Sequence, residues 1–106
     1  MITVYRIVKT PEPTRDDFLS DGARGKRPRD DTEEAVRRHG GFSVWTIEEH
    51  ALAMAKRFPV LGGYIAYVKL PAGATLEPFP GTWDHQTAYG DPDAFLASVV
   101  RVVRVG

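Results

Sequence analysis

The sequence predicts a single α+β domain over residues 1–106, with a mixed or antiparallel sheet of about five strands and two or three helices. Three observations carry that expectation. Apolar-rich stretches at 2–9, 42–46, 64–70 and 98–105 have strand length and composition, most of them alternating with the two-residue period of a strand. The stretch 47–58 instead repeats its apolar residues three and four apart, which is helical spacing. Long segments at 10–40 and 71–92, rich in Pro, Gly and charge, read as mostly loop.

The first strand runs from Ile2 to Lys9, with Ile2, Val4, Arg6 and Val8 on one face and Thr3, Tyr5, Ile7 and Lys9 on the other. Arg6 stands out as a permanent cation among aliphatic neighbours. If its face is buried, it needs a carboxylate, a fork of carbonyls or a bound anion. It is therefore either a paired strand residue or an arginine holding a phosphate or carboxylate in a cleft. Pro11 and Pro13 end the strand, and Thr14 with Asp17 has capping-box spacing for a short helix carrying Phe18 and Leu19. The stretch 20–31 is turn-like and charged. Its cluster Arg24, Lys26, Arg27 and Arg29 is either a solvated loop or a basic flap over a phosphate. Gly22 and Gly25 lack the spacing and flanking strand of a P-loop or dinucleotide fingerprint.

Asp31 with Glu34 predicts a further capping box and a short helix through Ala35, Val36 and His39, with Gly40 and Gly41 suited to a left-handed C-cap. Phe42, Val44 and Thr46 then share one face of a short strand, Ser43 and Trp45 the other. Thr46 and Glu49 have capping-box spacing at the start of the next helix. Its apolar stripe is Ile47, Ala51, Met54, Ala55 and Phe58, and Pro59 stops it. Ser43 beside Trp45 is a candidate pocket floor.

A turn at 60–63 leads into the strand Tyr64 to Leu70. A short edge strand is expected around Thr75–Glu77, because Pro78 and Pro80 exclude a central one. Trp83, Asp84, His85, Gln86 and Tyr89 gather in a stretch with weak periodicity, read either as a functional loop or as an aromatic lid. Asp91 before Pro92 starts a short helix, and the final strand is apolar enough to be expected in the centre of the sheet.

Net charge is zero and the pI is near 6.8, so no global field draws the chain to nucleic acid or anionic membrane. Nucleic acid stays open only through the basic loop 24–29. With no cysteine there are no disulfides, thiolate chemistry or Cys-type zinc sites, which fits a cytoplasmic protein. The N-terminus lacks a long apolar signal region, and no run approaches the roughly 18 apolar residues of a membrane span. Ten arginines against four lysines suggest a GC-rich bacterial genome. His39, His50 and His85 have no metal-site spacing, so no metal is expected. A Ser43–His85–Asp84 triad lacks a nucleophile-elbow frame around the serine.

The order of these parts resembles the small split-sheet ADP-ribosyltransferase fold of bacterial toxins and related enzymes. The resemblance rests on Tyr5-Arg6 in the first strand, Ser43 and Trp45 in the second, the Ala-rich helix after it, the strand from Tyr64 and the last apolar strand. It implies NAD as substrate. Arg6 would bind a phosphate, Ser43 the nicotinamide amide or ribose, Trp45 or Tyr64 a ring, and His85 or Glu77 would orient the ribose or leaving group. The family's late glutamate is missing, since no Glu follows Glu77. The expected function is thus an NAD- or nucleotide-dependent transferase in a toxin-like role. The alternative is a non-catalytic module binding a protein partner, such as a toxin–antitoxin or phage-conflict component.

Overall fold

A computed structural model of the chain describes residues 2–20, 22–23, 25, 32–82 and 84–106. The basic cluster of the 24–29 loop, Asp31 and Trp83 lie outside the described residues. Six strands, β1 (Thr3–Val8), β2 (Phe42–Trp45), β3 (Tyr64–Lys69), β4 (Thr75–Pro78), β5 (His85–Tyr89) and β6 (Val99–Arg104), form one sheet in the order β4-β5-β2-β1-β3-β6. Every pairing is antiparallel. The α-helices are α1 (Glu33–Arg38), α2 (Glu48–Arg57) and α3 (Pro92–Ala97). The architecture is α+β, with one strand more than expected.

The sheet is narrowest in the middle. β1 meets β3 in six registered pairs, from Thr3↔Lys69 to Val8↔Tyr64, but meets β2 in one, Tyr5↔Trp45. The two faces of the sheet are packed differently. On the first, Val4, Val8, Phe42, Val44, Ala66, Val68 and Ala88 close against Phe18 and Phe95. On the second, Ile7, Trp45 and Ile65 lie under Ala51 and Ala55 of α2, whose small side chains let the helix approach closely. The alternation read from β1 and β2 is thus realised, with Arg6 on the first face and Ser43 and Trp45 on the second.

Several local expectations are corrected. The segment at 85–89 is not a loop but an inner strand, pairing with β2 on one side and β4 on the other. Its two-residue period (His85, Thr87 and Tyr89 against Gln86 and Ala88) is masked by polarity. The apolar β6 is an edge strand, bonded to β3 alone. Thr46 does not cap α2, because its hydroxyl donates to Asp84 instead. Thr32 caps α1, accepting from the Ala35 N–H at 3.2 Å. Neither Gly40 nor Gly41 is left-handed; Gly41 is needed because a Cβ there would lie 2.5 Å from the Ala88 carbonyl oxygen of β5. In the α2 stripe, Ala51 and Ala55 are buried, while Ile47 and Phe58 at its ends stay exposed.

Other expectations hold. The Thr14 N–H donates to Asp17 Oδ2 at 2.7 Å, closing the capping box of a 3-10 turn at Arg15–Phe18. Asp91 caps α3 with Pro92 at its first position. β4 is an edge strand ending at Pro78.

Candidate functional site

Arg6 is buried on the first face, and its guanidinium is bound by main-chain carbonyls. Nε donates to the Asp17 oxygen at 3.0 Å and Nη1 to the Ser43 oxygen at 2.8 Å. The cation also lies over the Phe42 ring, 5.1 Å from its centroid. Arg6 therefore bridges β1, the 3-10 turn and β2, at the place where β1 and β2 share only one pair. This is the carbonyl fork that a buried arginine requires.

Ser43, Trp45, His85 and Glu77 lie on the second face, Ser43 opposite Thr87 and Trp45 opposite His85. Tyr64 belongs to the other side, half-buried against the first core, and does not join them. The His85 imidazole is sandwiched between Trp45 (centroids 5.1 Å apart, planes 14° apart) and Phe79 (4.6 Å and 18°). The Arg38 guanidinium lies over the Phe79 ring, 5.1 Å from its centroid. Burial first, and then the nearby Arg6 charge, hold His85 below the usual imidazole range, against an opposing pull from Asp84. Its Nε2 is buried and has no hydrogen-bond partner among the described residues.

Glu77 sits two strands away from β2, on β4. Arg37 of α1 donates to it through Nε at 3.0 Å, and the Tyr89 hydroxyl donates at 2.7 Å. The Arg37 and Tyr89 hydrogen bonds hold Glu77 below the usual carboxylate range. Burial, followed by the bond to Glu77, pushes the Tyr89 hydroxyl up to about 12. Glu77 thus ties α1 to the sheet.

The carboxylate nearest the stack is Asp84, buried just before β5. It accepts from the Thr46 N–H at 3.0 Å and the Ile47 N–H at 2.7 Å, as well as from the Thr46 hydroxyl. His50 Nδ1 lies 3.2 Å from its Oδ2. Burial opposes the charge, but the bonds from Thr46, Ile47 and His50 outweigh it and hold Asp84 below its ordinary pKa. Asp84 thus secures the entry to α2, whose own N-cap, Ile47, has no side chain able to accept.

Beside this carboxylate is a pocket of about 250 Å³ lined by Trp45, His50, Met54, Thr82, Asp84 and His85. Among the described residues no cluster of three His, Asp or Glu is placed to hold a metal ion. No helix among them is long and apolar enough to cross a membrane.

No family model, curated protein or solved structure matches the chain.

Sequence reasoning missed Phe79 as the second ring against His85, and Arg37 and Tyr89 as the partners of Glu77. The available signal was the hairpin of β4 and β5, in which alternate residues Glu77 and Phe79 face the same side as His85, Thr87 and Tyr89. The turn residues Pro80 and Gly81 between the strands mark it.

Proposed function

We propose that the chain is an NAD- or nucleotide-directed domain of ADP-ribosyltransferase type, working in the cytoplasm in a toxin-like or phage-conflict role. The observation that carries this reading is the narrow join between β1 and β2, where Arg6 of the first strand binds the Ser43 carbonyl of the second at 2.8 Å. A split-sheet fold opens there, and the resemblance puts its arginine and its hydroxyl-bearing strand at that place. Arg6 fixes the two strands to each other at this join through the carbonyls it holds. Trp45 is the aromatic residue paired across the join, and His85, neutral and stacked on it, is the group available to orient a ribose or leaving group. Glu77 is committed to Arg37 and Tyr89, so stabilising positive charge at a ribose carbon falls to Asp84, the ionised carboxylate beside the stack.

One observation favours a second reading, a non-catalytic binding module with a protein partner. Both carboxylates near the stack already serve structural roles, Glu77 holding α1 and Asp84 the start of α2. Incubation with labelled NAD separates the two. Nicotinamide release, with label transferred to protein or RNA, supports the enzyme. Thermal stabilisation by NAD without turnover supports a binding module whose ligand is NAD. No turnover and no thermal response to NAD or nucleotides rejects the NAD-directed reading.

A further inference from the structure

We propose that the pocket beside the start of α2 binds a small planar organic cation; its walls include Trp45, Asp84 and His85, the residues of the proposed function, but binding of such a cation does not depend on turnover of NAD. At about 250 Å³ it has room for one substituted ring, well short of a dinucleotide. Its described lining contains no lysine or arginine, and Asp84 is its one carboxylate. That carboxylate is 5% exposed, and three protein donors hold it in its charged form. His85, in the same wall, is kept neutral by burial. The pocket thus holds an ionised carboxylate within largely apolar walls, with His50 Nδ1 3.2 Å from it.

The rest of the lining suits the same guest. Trp45 and His85 contribute a stacked aromatic wall, and Met54 a polarisable thioether. Because the oxygens of Asp84 are already engaged by Thr46 and Ile47, it acts on a guest mainly through its charge rather than by a fresh hydrogen bond. Selection is then by sign of charge and by shape: a flat cation is favoured, its neutral isostere is weaker and its anionic isostere is rejected. The Arg6 side chain lies on the opposite face of the sheet, bound to carbonyls, and its charge, which reaches His85, opposes a cationic guest less than Asp84 attracts it.

Benzamidinium, benzamide and benzoate share a ring and nearly a shape but carry charges of plus one, zero and minus one. Each is titrated by NMR into the full chain at pH 8, where an ordinary imidazole is neutral. Benzamidinium is expected to bind saturably with shifts at Trp45 and Met54, benzamide on the order of tenfold more weakly, and benzoate not saturably. Asp84→Asn, which keeps an acceptor for the Thr46 and Ile47 N–H groups, should bring benzamidinium down to the level of benzamide. Should that variant fail to fold, Ala53→Trp decides. Ala53 lines the pocket from an exposed position on α2, so a large ring there fills the space and abolishes binding while leaving the core intact. Equal binding of the three compounds, no saturable binding of benzamidinium at millimolar concentration, or unchanged binding in folded Ala53→Trp overturns the proposal.

Discussion

The two faces of the sheet solve the same packing problem differently. On the first, the rings of Phe18, Phe42 and Phe95 contact one another, with centroids 4.9 to 6.1 Å apart, and the buried Arg6 is bound to main-chain carbonyls. On the second, α2 approaches on alanines, the aromatic residues are stacked with a histidine, and a pocket remains beside a buried carboxylate. Large apolar rings leave no room for chemistry. Small residues, with polar groups held in place by neighbours, do. The difference separates a face filled by its own rings from a face that keeps a pocket beside a buried carboxylate.

The sharpest way to break the comparison is Phe95→Ala. It empties the centre of the three-ring cluster and should cost about 3–5 kcal/mol in urea denaturation, because a fully buried ring leaves a cavity. A loss under about 1 kcal/mol would mean the first face is not the main core.

Arg6→Ala comes next, with an expected loss of about 2–4 kcal/mol, since two carbonyls that accept from a charged donor lose it together. Arg6→Lys should recover little of this, because one ammonium group does not reproduce the planar fork. Unchanged stability in Arg6→Ala would move Arg6 from scaffold to ligand contact.

Asp84→Ala should cost about 1–3 kcal/mol by removing the acceptor from two backbone N–H groups at the entry to α2. The folded pKa of Asp84 is depressed, so its contribution is fully present above the ordinary carboxylate value of about 3.9 and is lost as pH falls through its lower folded value. The gap between parent and variant, measured by thermal melts across pH, should therefore close in acid. His85 has the same sign for a different reason. Kept neutral in the fold, it favours unfolding as pH drops below the ordinary imidazole value of about 6.5, and His85→Phe should flatten that part of the profile.

The smallest effect belongs to Arg37→Ala, whose ion pair with Glu77 is open to solvent and should change the melting temperature barely at all.

Much of this difference was legible from residues. Alternation placed Ser43 and Trp45 together and Arg6 with Val4 and Val8, and the spacing of Thr14 with Asp17 and of Asp91 with Pro92 located two helical turns. What a linear reading lacks is register. Only the pairing of Tyr5 with Trp45 reveals that the side chains of Arg6 and Ser43 lie on opposite faces of the sheet, so the single cleft expected from Arg6, Ser43 and Trp45 resolves into a strut and a separate pocket. β5 was hidden because its exchange partners, β2 and β4, are far away or short, and polar side chains fill its alternating pattern. The apolar sequence of β6 suggested a centre because hydrophobicity measures the faces of a strand and is blind to its edges. The cap on α2 was misassigned because a remote aspartate competes for the hydroxyl of Thr46.

The narrow join between β1 and β2 also bears on how the chain must be assembled. β1, β3 and β6 lie on one side of it and β2, β4 and β5 on the other, so the polypeptide passes from one side to the other four times. No continuous segment owns either side. An N-terminal fragment ending anywhere between β2 and β5 would therefore lack strands from both, and a single nick in a connecting loop would leave each side holding the other. Two of the four connections across the join, 9–41 and 46–63, close over long stretches of sequence, which slows folding relative to a domain built from local contacts.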